Sequence, residues 1–192
     1  MKTLVAATHN PNKIKEFLSL LPDGIEVIPA SQFNVPEPDE TELTLEGNSN
    51  LKAEFVFSHT CLPSVADDTG LEVEALNGEP GVFSARYAGE PANNQNNIAK
   101  LLSTLADKPN RKARFRTIIT YKTEAKTHQF EGIVNGEIAL IPAGTNGFGY
   151  DSVFIPEDSS KTFAEMDLTE KNQFSHRARA MKKFLEFIKA NP

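Results

Sequence analysis

The stretch Ser64-Val65-Ala66-Asp67-Asp68-Thr69-Gly70-Leu71 limits the possible folds more than any other part of the chain. A short apolar run meets two adjacent carboxylates and then a glycine. Val65 and Ala66 suit a strand, and Gly70 can take the positive φ that reverses a chain. This reads as a buried strand ending in a candidate active site, with the carboxylates at its exit. Successive side chains of extended backbone point to opposite faces, so Asp67 and Asp68 are not set up as a facing acid and base pair. One is expected to look into a cleft while the other braces the turn. The alternative is an Asx-turn in which both carboxylates only cap backbone amides.

A chain of 192 residues fits one domain, residues 1–192, and is long enough to bury a sizeable core. Its 39% hydrophobic and 24% charged residues are those of an ordinary soluble globular protein, with no repeat or low-complexity tract. The opening apolar run stops at His9-Asn10-Pro11-Asn12 and reads as a first strand, not as a signal peptide. No apolar run reaches bilayer-spanning length, so a soluble cytoplasmic protein without membrane contact is expected. The single cysteine, Cys61, excludes an intrachain disulfide and a thiolate zinc cluster, and its default role is packing. The four histidines show no close pair at helical ligand spacing. A metal here is therefore expected to be a hard ion held by carboxylates, which points to Mg²⁺. The net charge of −6 disfavours binding to nucleic acid but leaves room for a small anion in a locally basic site.

In chain order, Lys2 to Thr8 reads as a strand that empties into a polar loop before a helix from Ile14 to Leu21, with Asn10 as N-cap and Pro11 at the first helical position. Free N–H groups, the positive dipole end and Lys13 outline an anion site; the alternative for Lys13 is a solvated surface lysine. Ile25 to Pro29 reads as a strand. The acidic, Pro-rich loop after it could lend a carboxylate to a metal or be merely solvated. A helix is expected over Thr44 to His59, with Leu51 and Phe55 on one stripe and Asn48, Lys52 and Val56 on another. Leu71 to Ala75 reads as a separate strand, Asn93 to Leu105 as a helix, Ala113 to Thr123 and Thr127 to Val134 as a hairpin, and Gly136 to Ile141 as a third strand. Early strand-helix-strand units and later antiparallel strands together make a mixed α/β sheet.

The loop Gly144-Thr145-Asn146-Gly147-Phe148-Gly149-Tyr150-Asp151 matches neither the Walker phosphate loop nor the dinucleotide fingerprint. It offers two aromatics on close-approach backbone ahead of the strand Ser152 to Ile155, either to stack on a flat ring or to pack inward. The last segment, Ser175 to Ala190, is an amphipathic helix with Met181, Phe184, Leu185 and Ile188 buried. His176, Arg177 and Arg179 crowd its positive end, which calls for an anion or an acceptor nearby unless the turn is simply solvated.

Seven motifs then occur together and in one order. They are Thr8-x-Asn10-x-x-Lys13, Glu40-Thr41, Asn48 with Leu51-Lys52-Ala53, Ala66 to Leu71, Pro80-Gly81 with Ser84 to Tyr87, Phe148 to Asp151, and Glu170-Lys171 with Ser175-His176-Arg177. The set resembles the inosine/xanthosine triphosphate pyrophosphatase family. The resemblance implies an elongated mixed α/β fold with flanking helices, two lobes around a deep central cleft, a homodimer, Mg²⁺, and cleavage of non-standard purine nucleoside triphosphates (ITP, dITP, XTP) to monophosphate and pyrophosphate. Carried onto this chain, it implies that Thr8, His9, Asn10, Pro11, Asn12 and Lys13 bind the triphosphate with help from Lys52. Asp68 would be general base and metal ligand, with Glu40 as the second carboxylate at the metal and Asp67 in support. Thr69 would touch substrate, Phe148, Gly149, Tyr150 and Asp151 would hold base and sugar, and Lys171, His176 and Arg177 would read the purine edge. Two departures stand out: Gly47 where many members carry Glu, and Ser49 where Ala is usual. The competing functions are a related pyrophosphatase with another base preference and a nucleotide-binding sensor that has lost catalysis.

Overall fold

The computed structural model describes residues 2–191. Among them are five α-helices and seven strands, a mixed α/β architecture as expected from the alternation of strand and helix patterns. The strands are β1 (Lys2–Ala6), β2 (Ile25–Pro29), β3 (Ser64–Val73), β4 (Pro80–Gly81), β5 (Lys112–Lys122), β6 (Thr127–Ile138) and β7 (Phe154–Pro156). The helices are α1 (Pro11–Ser19), α2 (Leu45–Thr60), α3 (Asn94–Thr104), α4 (Leu168–Phe174) and α5 (His176–Ala190). Strands hydrogen-bond in the order β2-β1-β3-β5-β6-β7, and β4 pairs with β3. The chain divides into two compact units. Unit 1 is residues 1–68, 117–132 and 177–192; unit 2 is residues 69–116 and 133–176.

In unit 1, β1 lies between β2 and β3 and runs parallel to both. The period of two sorts its side chains. Leu4, Val65, Ile119 and Tyr121 meet Phe17 of α1 and Ala180, Met181, Phe184 and Ile188 of α5. Val5, Ala7 and Ala66 meet Ala53 and Val56 of α2. Helices therefore cover both faces, as parallel strands require. The entry to α1 is written locally: the Asn10 side chain accepts from the N–H groups of Asn12 and Lys13, and Pro11 takes the first helical position. Thr44 caps α2 by accepting from the Gly47 N–H at 3.0 Å.

Unit 2 packs one core of Leu71, Val73, Leu101, Leu105, Phe115, Val134, Ile138, Tyr150, Val153, Phe154, Phe163 and Met166. Here β4 pairs antiparallel on the end of β3, and β7 pairs antiparallel on the end of β6.

Two glycines behave differently from their sequence reading. Gly70 does not turn the chain: β3 continues through it to Val73, because Leu71 and Glu72 find partners in Gly81 and Pro80. Likewise Gly136 does not open a third strand but lies inside β6, where a Cβ would collide with the Ile155 carbonyl of β7. Cys61 also departs from expectation. It is exposed and ends α2 in the left-handed conformation, with φ 54°.

Candidate functional site

Each unit carries its own cluster of the expected residues. In unit 1 the loop from β1 to α1 folds on itself: the Asn10 N–H reaches Thr8 Oγ1 at 3.2 Å, and Asn10 Oδ1 accepts from Asn12 and Lys13. Thr8 is buried; His9, Pro11 and Asn12 are exposed. His9 Nδ1 stands 3.7 Å from Glu37. The N-terminus of α1 thus presents helix N–H groups and Lys13 on one short segment.

Asp67 and Asp68 sit within β3, and the alternation of the strand sends them to opposite faces, as their adjacency predicts. Asp67 faces Lys13 Nζ at 3.3 Å, and its Oδ2 accepts from Arg177 Nη2 at 2.9 Å and Nε at 3.2 Å. Arg177 Nη1 also donates to Glu16. Burial raises the cost of a charged Asp67, but Lys13 and Arg177 outweigh it and hold the carboxyl well below its usual range. Burial likewise opposes the Arg177 charge, yet Asp67 and Glu16 keep it firmly protonated.

Asp68 has a different neighbour. Lys52 Nζ donates to Asp68 Oδ1 and to Glu40 Oε1, each at 2.8 Å, and its side chain is only 3% exposed. Desolvation would lower the Lys52 pKa, but two flanking carboxylates raise it above that of a free lysine. The Asp68 carboxyl is pushed up, first by burial and also by the Glu40 charge, with Lys52 and Lys13 offsetting only part. A carboxyl of raised proton affinity beside a fixed cation results.

Among the described residues no group of three or more His, Cys, Asp or Glu is gathered as a metal cage. Asp68 and Glu40 nonetheless share one ammonium and offer hard oxygen donors. That set fits a divalent ion that takes two carboxylates and completes its shell with phosphates and water.

In unit 2, Lys171 of α4 donates to Asp151 Oδ2 at 2.6 Å, and the same oxygen accepts from the Phe148 N–H at 2.8 Å. The ammonium stands 5.4 Å from the Phe148 ring centre and 5.3 Å from that of Phe163. Gly147 takes φ +73°, and a Cβ there would strike the Asp151 carboxylate, so both its backbone and its bareness are needed. His176 is buried and stacks on Phe115 at 4.6 Å with 20° between the rings. Tyr150 is not presented as a flat exposed ring. It packs in the core and its hydroxyl donates to the Ser84 carbonyl at 2.9 Å, while burial raises its pKa. Phe148 and Gly149 remain partly exposed, and Thr69 follows Asp68 on β3.

The surroundings of Arg177 also differ from an open purine edge. Its guanidinium is 2% exposed and engaged by two carboxylates, the acceptors that the crowded start of α5 called for. Glu16 was missed in the sequence. The available signal was its helical position, three residues beyond Lys13 and next to the buried Phe17.

A buried lysine tying two carboxylates, with a cation-bearing helix start in the same unit, suits a phosphate-handling enzyme. The chain belongs to the Ham1 family, whose model matches residues 4–187. It is 48% identical over 188 residues to a protein of Flavobacterium johnsoniae named dITP/XTP pyrophosphatase, covering 97% of this chain and 98% of that one. Among solved structures, a HAM1 protein from Coxiella burnetii matches with TM-score 0.91 at 39% identity, over 99% of this chain and 100% of that one. The Ham1 protein of Staphylococcus aureus matches with TM-score 0.90 at 40% identity over the whole of both chains. The family read from the seven motifs is thereby borne out. No helix of the described residues is long and apolar enough to cross a membrane. A nucleotide pyrophosphatase of this family implies a divalent metal, which the donor set fits.

Proposed function

We propose that this chain hydrolyses non-standard purine nucleoside triphosphates, dITP, ITP and XTP, to the monophosphate and pyrophosphate, with Mg²⁺ as its ion, as a cytoplasmic homodimer. The observation that carries the reading is Asp68 and Glu40 held by one buried ammonium, in a chain whose relatives bear that name.

The roles follow from the charges. The segment Thr8 to Lys13 binds triphosphate oxygens through helix N–H groups and the Lys13 ammonium. Asp68 takes the proton of a water attacking the α-phosphorus, for which its raised proton affinity suits it. Lys52 stabilises charge on the departing pyrophosphate. A divalent ion at Asp68 and Glu40 supplies neutralisation of phosphate charge. Thr69 contacts substrate, and Phe148, Gly149, Tyr150 and Asp151 shape the place for base and sugar, Tyr150 from within the core.

Base selection rests on donors. Lys171 and His176 offer hydrogens to a 6-keto oxygen, whereas adenine's amino group sets donor against donor; guanine keeps that oxygen, so its rejection falls to its 2-amino group. Each unsatisfied group costs about 1–3 kcal/mol, roughly tenfold to a hundredfold in preference. Arg177 acts in this reading by holding Asp67 and Glu16 and thereby Lys13, and it would reach a purine only by leaving them.

The test is pyrophosphate release from dITP, XTP, ITP, GTP and ATP with and without Mg²⁺. Mg²⁺-dependent release from the first three, with ATP and GTP spared, is expected. Orthophosphate release would overturn attack at the α-phosphorus. Preference for pyrimidine triphosphates would move the chain to another specificity, and tight ITP binding without turnover would make it a sensor.

A further inference from the structure

We infer that Asn48 is a positioning residue for this reaction: with Gly47 it fixes the loop that carries Glu40, so that the Glu40 carboxylate meets Lys52 beside Asp68. The inference rests on the role proposed above for Glu40.

Asn48 is fully buried, and its carboxamide is committed at both ends to one residue. Oδ1 accepts from the Glu42 N–H at 2.9 Å, and Nδ2 donates to the Glu42 carbonyl at 3.2 Å. The side chain thus grips backbone as a neighbouring strand would, satisfying a donor and an acceptor together. Glu42 lies two residues after Glu40, in a segment that has no helix or strand of its own. Val35, at the far end of that segment, is its buried anchor.

Gly47 is a second, independent sign. A Cβ there would lie 2.7 Å from Glu42 Cβ and 2.9 Å from its Cγ, closer than carbon atoms allow. The glycine makes room for the loop to seat against α2. Asn48 and Lys52 are one helical turn apart on one stripe, so a single helix face holds both the backbone of this loop and its carboxylate.

The experiment places Asn48→Ala and Gly47→Ala in the wild-type chain and in Glu40→Gln. The half-saturating Mg²⁺ concentration for ITP turnover is measured for each, beside Mn²⁺ binding with a non-hydrolysable ITP analogue, read by electron paramagnetic resonance. Each single substitution is expected to raise half-saturating Mg²⁺ about tenfold and to weaken Mn²⁺ binding in step. In Glu40→Gln neither should weaken Mn²⁺ binding further, because their effect passes through Glu40. Equal losses in both backgrounds, or ion dependence unmoved by either substitution, would overturn the proposal. So would Mn²⁺ binding left unchanged by Glu40→Gln alone. If Asn48→Ala does not fold, Gly47→Ala decides, since alanine is the better helix former and weaker ion binding in a variant of undiminished melting temperature is not a folding defect. Wild-type protein that binds Mn²⁺ with the analogue but releases no pyrophosphate would break the functional reading alone, and the binding comparison would still test the clamp.

Discussion

Asp67 and Asp68 are neighbours on one strand and have opposite electrostatic situations. Asp67 meets two cations, Lys13 and Arg177, and its carboxyl is held far into the ionised range. Asp68 shares one cation with Glu40 and is pushed toward the protonated form. Both are equally buried. The difference is the ratio of positive to negative partners, and it separates a carboxylate that braces from one that can exchange a proton. A brace needs its charge to be permanent; a base needs its charge to be negotiable.

The largest test of this contrast is Asp68→Asn. Pyrophosphate release is expected to fall by about 10²–10⁴-fold, the usual contribution of a general base. Melting temperature should change little, since Lys52 loses one of its two buried counter-charges while a carboxylate that burial disfavours is removed as well. Asp67→Asn should lower stability by about 3–5 kcal/mol in urea denaturation, because Arg177 and Lys13 lose a buried counter-charge. Two substitutions of equal chemistry at adjacent positions would then have unequal effects on stability. If both destabilise alike, the contrast is wrong.

The same contrast has a pH signature. The folded pKa of Asp67 is depressed, so its stabilising contribution is present above the unfolded value, about 3.9, and is lost as pH falls toward the folded one. The folded pKa of Asp68 is raised, so its contribution is present while it is protonated and is lost as pH rises through that folded value. Urea midpoints between pH 3 and pH 7 should therefore show a shallower acid decline in Asp67→Asn than in wild type. Asp68→Asn should compare best with wild type at the neutral end.

What was legible in the sequence was local. Asn10-Pro11 states the start of α1 in two residues, and strand parity alone parts Asp67 from Asp68. The helical period set Asn48, Lys52 and Val56 on one stripe of α2, and the structure makes that stripe its buried side. Partners were not legible, because an ion pair leaves no mark in the intervening sequence: Arg177 lies 110 residues from Asp67 and 161 from Glu16. Glycine misled for a related reason. Gly136 lacks a side chain because the backbone of β7 passes close to it, which only tertiary structure reveals. The seven residues of α4, which carry Lys171, were too few to show a period.

Ser49→Ala is the smallest of these effects and tests where bracing ends on the Asp68 side of β3. The Ser49 hydroxyl donates to the Ile118 carbonyl at 3.1 Å and accepts from Thr120 Oγ1 at 2.8 Å, and Thr120 Oγ1 in turn accepts from Gln129 Nε2 at 3.0 Å. This relay ties α2 to β5 three residues before Lys52. Removing the hydroxyl leaves Thr120 without that acceptor, a loss of about 1 kcal/mol by urea denaturation. Packing of Ala53 and Val56 against Val5 and Ala66 still holds the helix, so turnover of ITP should change by less than about threefold, or about 0.6 kcal/mol. A tenfold fall with the same small loss of stability would mean that Lys52 depends on the relay for its place on Asp68. The functional face of the strand would then be braced as well, by neutral hydroxyls in place of paired charges.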